Sequence, residues 1–291
     1  MKIRKMGFLS AFAVMGVVGI SMLVTPSFAA LGEAGDIADL GAELHYLKYE
    51  EPDFMEETGG MFGVFGRYVY RTKQNDRFST FQEFFSANPI NTFGVDGRIT
   101  FGNVDYSSSG TGSIDSVDDR IAEISGKVGM DLPMSEYLIT PYLGLGFRYW
   151  SDELGGKTST TGHAGYDRES HYLYLPIGFD LATELNNGWG ASFNFEFDVF
   201  LDGTQKSHLE DVSSALNTLE NDQNDGYGIR GAITLTKQID NLVFLVEPFV
   251  RYWNIDNSTV GVVTCGGTPC AFGYEPKNES IEAGARLGVR F

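Results

Sequence analysis

The sequence predicts an all-β fold: a single transmembrane antiparallel up-and-down β-barrel of about ten strands. Three observations predict this fold. Apolar and polar residues alternate in ten segments, tight connections alternate with long ones, and the polar faces of the segments carry charges of both signs. The length of the chain suits one large all-β domain or two ordinary domains.

The last segment, "NESIEAGARLGVRF", shows the alternation most plainly. Successive side chains of a strand point to opposite faces. One face is therefore apolar and ends on Phe291, while the other carries Glu282, Arg286 and Arg290. Segments of this kind occupy residues 38–50, 60–72, 92–106, 119–132, 137–151, 170–184, 188–202, 226–237, 242–256 and 278–291. Each is long enough for the ~9–11 residues of a tilted membrane-spanning strand.

The connections predict the orientation of the barrel. Residues 133–136, 185–187 and 238–241 form tight connections, whereas residues 107–118, 152–169, 203–225 and 257–277 are long and polar. Short periplasmic turns and long extracellular loops are typical of outer-membrane barrels. Aromatic girdles follow from this orientation: Phe93, Trp189 and Phe291 near the periplasmic rim, and Tyr46, Tyr106, Tyr149, Trp150, Tyr172 and Tyr252 near the outer rim.

One connection departs from the rule. Residues 73–91 are too long for a periplasmic turn, and Phe78, Phe81 and Phe85 lie at helical spacing, which predicts a short amphipathic helix.

The polar faces predict a lumen filled by paired charges. On this register nine basic and nine acidic side chains point inward, and the other acidic residues lie in loops and turns. Charges in a narrow interior occur in pairs, because an isolated buried charge costs several kcal/mol. Ten strands with a balanced lumen indicate a plugged or very narrow pore, since open channels need nearer sixteen strands. A soluble β-sandwich, the alternative fold, buries few charges. The predicted network contains Glu43, Arg67, Arg71, Asp96, Arg98, Glu123, Lys127, Asp131, Arg148, Asp180, Glu196, Asp198, Arg230, Glu247, Arg251, Glu282, Arg286 and Arg290.

Residues 1–29 have the pattern of a secretory signal peptide, so the barrel is expected to occupy residues 30–291. Lys2, Arg4 and Lys5 precede an apolar run, and small residues at Ser27 and Ala29 fit a cleavage site. An uncleaved anchor helix is the alternative. Removing these three of the 21 basic residues leaves 18 against 39 acidic residues, a net charge of −21. Such a polyanion repels nucleic acid.

Cys265 and Cys270 enclose "GGTP". In an exported protein this spacing predicts a disulfide that closes a small loop. A metal site would need further ligands nearby, and the sequence shows none.

The polar loops contain two further patterns. Ser207 with Glu210 fits a capping box, and a stripe of Leu209, Val212, Leu216 and Leu219 has helical spacing, so 203–225 is predicted to hold a short external helix over the barrel mouth. The acidic run 220–225 and the other acidic loops are candidate sites for divalent cations that bridge lipopolysaccharide phosphates.

Several stretches resemble a family of uncharacterised Gram-negative outer-membrane β-barrel proteins. They are "YEEPDFMEETGG", "GLGFRYW", "YDRESHYLYLPIGF", "FEFDVFLDGTQKSHL", "VRYWNIDNS" and "YEPKNESIEAGARLGVRF". The terminal Phe291 is similar to the C-terminal signature that the barrel-assembly machinery reads. The resemblance implies export through the Sec pathway and a place in the outer membrane among lipid and lipopolysaccharide. It implies no specific activity, because fold does not fix function.

The functional expectation is a barrel with a charge-paired, largely plugged lumen and acidic surface loops, in a structural or surface-interaction role. No catalytic residue, cofactor or metal is expected. The first alternative is a narrow, low-conductance porin-like channel for small solutes. The second is a hydrolase at the rim, of omptin or deacylase type. The four histidines do not fit the Asp-x-His element of omptins, and Ser170 and His171 point to opposite faces of a strand.

Overall fold

The computed structural model describes residues 34–72 and 90–291. The signal peptide and most of the 73–91 helix prediction lie outside the described residues. The strands are β1 (Gly35–Glu51), β2 (Met55–Arg71), β3 (Thr92–Ser108), β4 (Gly112–Gly129), β5 (Leu132–Met134), β6 (Tyr137–Glu153), β7 (Arg168–Leu185), β8 (Trp189–Ser207), β9 (Leu219–Gln223), β10 (Gly226–Ile239), β11 (Leu242–Ile255), β12 (Gly261–Cys265), β13 (Thr268–Gly273) and β14 (Asn278–Arg290).

Ten of these strands form a closed antiparallel barrel, as the sequence predicts. The strands β1, β2, β3, β4, β6, β7, β8, β10, β11 and β14 each pair with their neighbours in chain order. The pairing of β1 with β14, from Asp39↔Arg290 to Glu50↔Glu279, closes the cylinder. Phe291 continues this seam, because its backbone exchanges hydrogen bonds of 2.8 and 3.2 Å with Ala38. Within the described residues no helix has the length and apolar character needed to cross a membrane.

The outer wall is apolar around the whole barrel. Leu44 in β1 is 59% exposed, and Phe62 in β2 is 60% exposed. Their strand neighbours Glu43 and Met61 point inward and are buried. An exposed apolar surface that surrounds a closed barrel is what a lipid-facing wall requires.

The two ends of the barrel differ. At the turn end, where β1 begins and β14 ends, short connections join β7 to β8 and β10 to β11. At the loop end, long connections span 154–167, 208–225 and 256–277. The prediction of a long loop at 107–118 is wrong, because β3 and β4 continue pairing to Ser108↔Gly112. Only residues 109–111 turn there, and only residues 52–54 turn between β1 and β2. The strands β1 to β4 thus continue past the length that crosses a membrane, and pairing between them satisfies their backbone N–H and C=O groups.

Three aromatic residues predicted for the outer girdle lie inside instead. Trp150 is 5% exposed and Tyr172 is 3% exposed, and Tyr106 packs against a buried apolar cluster. Tyr149 and Trp150 are adjacent in β6, so the period of two places them on opposite faces. Tyr46 is 53% exposed on the outer wall, and Phe93, Trp189 and Phe291 are exposed at the turn end, as predicted.

The helix predicted in 203–225 is wrong. The strand β8 continues to Ser207, and β9 then pairs back along β8 from Gly203↔Gln223 to Ser207↔Leu219. One 3-10 turn, Leu209–Asp211, is the helical structure of this connection, and no side chain caps it. The Glu210 carboxylate accepts a hydrogen bond from Thr218 Oγ1 at 2.6 Å rather than reaching back to Ser207.

Candidate functional site: the charged lumen

Glu43 and Glu282 form the centre of an ion-pair network at mid-height. Arg98 donates to Glu43 at 3.0 Å and to both oxygens of Glu282 at 2.6 and 2.9 Å. Arg251 donates to Glu43 at 3.0 Å, and Arg286 donates to the other oxygen of Glu43 at 2.7 Å. These side chains are almost fully buried. Bidentate guanidinium–carboxylate pairs of this kind offset part of the desolvation of their charges.

A second group of pairs lies nearer the turn end. Arg67 donates to both oxygens of Glu247 at 2.9 Å and lies 3.3 Å from Asp96. Arg290 donates to both oxygens of Asp39 at 2.7 and 2.9 Å. Asp39 is 3% exposed and belongs to the same network, although it is absent from the predicted set. Its position two periods of the β1 alternation before Glu43 is the signal that indicates it.

The remaining predicted charges also point inward. Arg71 pairs with Asp131 at 3.1 Å, and Arg148 lies 2.9 Å from Glu282. Asp180 accepts from Asn194 Nδ2 at 2.9 Å. Lys127 pairs with Glu196, and Arg230 pairs with Glu123, Glu196 and Asp198. Each of the nine predicted basic residues thus lies within ion-pair distance of a carboxylate.

His45 is a candidate metal ligand that the geometry disfavours. Its Nδ1 lies 3.2 Å from Glu43 and its Nε2 lies 3.4 Å from Glu282, and all three residues are buried. Arg98 and Arg251 occupy the same two carboxylates. A cation between these glutamates would meet guanidinium charges at close range, so the arrangement fits an ion-pair network better than a metal centre.

Above the network, toward the loop end, aromatic and apolar side chains fill the lumen. Tyr174 and Trp253 pack edge to face with ring centroids 5.2 Å apart, and Tyr174 donates to Glu123 at 2.7 Å. The Tyr174 ring occupies the space beside Gly146, where a Cβ would overlap a ring carbon. A larger buried cluster follows, with Leu47, Met61, Val104, Val117, Ile121 and Trp150.

The open part of the lumen lies on the other side of the network. A cavity of about 260 Å³ occupies the turn-end half of the described barrel. Its walls carry both signs of charge, including Arg67, Lys127, Asp180, Glu196 and Arg290. The described lumen is therefore a charged vestibule on one side and a packed core on the other.

A separate buried group of carboxylates lies at the loop end. It contains Glu51, Glu57, Asp119, Asp152 and Glu275, and it is also missing from the predicted lumen network. Arg168 lies 2.8 Å from Glu51 and also contacts Glu275. Burial raises the pKa of Glu275, in the connection before β14, to about 7, and the nearby Arg168 opposes that rise.

The rim histidines lie on the outer face of β7 and just after β8. His171 Nε2 lies 3.5 Å from Glu169, and His208 Nδ1 lies 3.1 Å from Glu210. Ser170 points inward and donates to Gln205. Ser170 and His171 are therefore not a nucleophile–base pair.

The long connection before β14 contains the hairpin β12–β13. A disulfide joins Cys265 and Cys270 across its turn, with Cα atoms 5.8 Å apart, as the sequence predicts.

Comparison with known proteins identifies the class of fold. No protein-family model matches the sequence, and no curated protein matches it. The structure is similar to the outer membrane protease OmpT from Escherichia coli, with a TM-score of 0.60 and 10% identity over 88% of this chain and 96% of that chain. A major outer membrane protein from Thermus thermophilus matches with a TM-score of 0.32 and 14% identity, over 87% of this chain and 98% of that chain. The similarity to OmpT, at 10% identity, shows the fold alone. This chain has the fold of outer-membrane β-barrel proteins.

Proposed function

We propose that this protein is an integral outer-membrane barrel with a sealed lumen and a structural or surface-interaction role. We place the turn end of the barrel in the periplasm and the loop end at the outer surface. Export through the Sec pathway and recognition of the Phe291 strand by the barrel-assembly machinery belong to the same proposal. The outer-membrane fold and the apolar outer wall support it.

The main observation in favour of a sealed lumen is that two layers of side chains fill the barrel one after the other along its axis. Glu43, Glu282 and their arginines bridge the barrel at mid-height, and the core around Trp253 and Trp150 fills the part above. The cavity of about 260 Å³ reaches this seal from the turn end. A barrel of about this size is just wide enough for side chains to fill.

Planar-bilayer recording of the refolded protein tests the proposal. The wild type is expected to give no conductance steps above background. The variant W253A removes the largest fully buried side chain of the seal and is expected to give rare, small steps. Regular steps from the wild type would contradict the sealed lumen.

A narrow, low-conductance channel for small solutes is the second candidate, and the charged vestibule favours it. The vestibule already extends through half of the described lumen, and the seal at its inner end contains long arginine and glutamate side chains. Wild-type conductance steps that grow in R98Q would favour this candidate. The control R120Q changes an arginine on the outer face and is expected to leave the steps unchanged.

We propose no catalytic role. Ser170 and His171 lie on opposite faces of β7, and the carboxylates near His208 belong to a hydrogen-bonded loop turn. Assays with fluorogenic peptides and with lipid A test this. A measured activity that disappears in H171A and H208A would replace the proposal with a rim hydrolase.

A further inference from the structure

We propose that the loop-end carboxylates form an internal site for one divalent cation of the Ca²⁺ class. The site lies between β2, β6, β7 and β8, apart from the mid-height network and from the surface loops. Its central residues are Glu57 and Asp152.

The first observation is a local excess of negative charge. Five buried carboxylates share one guanidinium, that of Arg168, and this group contacts Glu51 and Glu275. Among the described residues, no basic side chain lies within ion-pair distance of Glu57, Asp119 or Asp152. In the predicted lumen network Asp180 is the one carboxylate without a basic side chain of the described residues at ion-pair distance, and it accepts a hydrogen bond from Asn194. The loop-end group holds three such carboxylates together, so it has the larger local excess of negative charge. Buried charge without compensation is costly, which calls for a bound cation or bound protons.

The second observation is an unpartnered side chain that points into a cavity. Asp152 is 5% exposed, and neither of its carboxylate oxygens accepts a hydrogen bond from the described residues. One oxygen of Glu57, a residue that is 1% exposed, also lacks a partner among them. Buried polar groups in proteins are usually satisfied, so unsatisfied oxygens around one space indicate a missing ligand.

The third observation is the size and chemistry of the space. The cavity has a volume of about 10 Å³, and its lining includes Glu57, Asp152, Ser170, Gln205, Tyr49 and Arg168. It holds roughly one water-sized sphere. Five of the seven lining residues carry side-chain oxygen, and the other two are Arg168 and Trp150. Ca²⁺ accepts six to eight oxygen ligands in irregular geometry at about 2.3–2.6 Å, whereas Mg²⁺ requires a near-ideal octahedron.

Neighbouring contacts hold the site in position. Asp119 and Asp152 are directly paired across β4 and β6, and Trp150 Nε1 donates to Asp119 at 2.8 Å. Arg168 also lines this cavity, but its guanidinium donates hydrogen bonds to Glu51 and Glu275, so these two carboxylates offset its charge rather than Glu57 or Asp152. The competing explanation is that Glu57, Asp119 and Asp152 share protons and bind no metal.

The test uses the full mature chain, refolded in detergent without lipopolysaccharide and stripped with EDTA. Isothermal titration with CaCl₂ is expected to give one site per chain. Saturating CaCl₂ is expected to raise the thermal midpoint by about 3 °C or more, whereas NaCl of equal ionic strength does not. Tryptophan fluorescence follows unfolding.

Matched variants locate the site. E57Q and D152N are expected to abolish the heat of binding and the thermal shift. Their controls are E56Q and E153Q, which remove the adjacent carboxylates on the outer face. In EDTA, E57Q and D152N are also expected to unfold at a higher temperature than the wild type, because each removes repulsion between neighbouring buried carboxylates. If either variant fails to refold, the wild-type titration and the remaining variant test whether the cation binds at this site.

Three results would overturn the proposal. One is wild-type protein with no heat of binding and equal thermal midpoints in CaCl₂ and EDTA. Another is loss of binding in E56Q or E153Q equal to that in D152N, which would place the cation on the surface. The third is a thermal midpoint that responds to pH but not to CaCl₂, which would assign shared protons to the carboxylates.

Discussion

Glu282, like Glu43, lies within ion-pair distance of three of the four mid-height guanidinium groups. Arg98 and Arg251 donate to it, and Arg148 lies 2.9 Å away. Glu282 is 1% exposed. Removing one partner of a buried charge network leaves the other charges uncompensated, and this loss exceeds the net value of the pairs themselves.

The variant E282Q is therefore expected to lose about 3–5 kcal/mol of unfolding free energy. Urea unfolding in lipid vesicles, followed by tryptophan fluorescence, measures this. The control E279Q lies in the same strand on the outer face, and its amide oxygen can still accept the hydrogen bond that Asn254 donates to Glu279. It is expected to change stability by less than about 0.5 kcal/mol. Equal losses in both variants would contradict the assignment of Glu282 to a buried network.

The lumen charges could be predicted residue by residue because strand alternation has a fixed period. Asp39 follows the same alternation and could have been included. The loop-end carboxylates could not, because Glu57 and Asp152 lie outside the strands that the sequence predicts, and Asp119 is the first residue of one, where polar side chains are expected to face solvent. Their burial depends on connections that fold over the barrel end.

At the scale of elements, the connection between β11 and β14 attaches to the barrel through Glu275. Its carboxylate accepts hydrogen bonds from Tyr49 and Arg168, which are residues of β1 and β7. Glu275 is buried, and its pKa is raised to about 7 from an ordinary value of 4.5. The folded state therefore holds this proton more tightly than the unfolded chain does.

This predicts a pH dependence with a definite sign. The contribution of Glu275 to the free energy of unfolding is fully present below about pH 4.5 and is lost as the pH rises through 7. Between pH 5 and pH 8 the free energy of unfolding of the wild type is expected to fall by about 1–3 kcal/mol more than that of E275Q. Urea unfolding at four pH values measures the difference. A difference that stays constant with pH would contradict it.

The errors in predicting elements share one physical origin. Leu209, Val212 and Leu216 have helical spacing, yet this stretch forms one 3-10 turn, and Leu216 pairs with Cys265 of the neighbouring hairpin. The strand β9 then begins at Leu219 and pairs with β8. The segment 107–118 is polar, yet Ser107 and Ser113 pair across two strands. Polarity marks a loop only where no neighbouring strand offers hydrogen bonds.

At the scale of the whole molecule, the outer wall predicts where a charge is tolerated. Leu44, near the middle of β1, and Val260, in the connection before β12, are 59% and 64% exposed. L44R is expected to lose about 2–4 kcal/mol in lipid vesicles, because its charge enters hydrocarbon. V260R is expected to change stability by less than about 0.5 kcal/mol. Urea unfolding of both variants measures this. Equal tolerance of both arginines would contradict a lipid-facing wall.

The seam between β1 and β14 has a consequence for biogenesis. Arg286 and Glu43, which bond across it, are 243 positions apart in the chain. The barrel therefore cannot close until β14 has been synthesised and has paired with β1. A polypeptide truncated before β14 would keep two unpaired edge strands, β1 and β11, which are templates for aggregation. Such a chain would become a substrate for quality-control proteolysis.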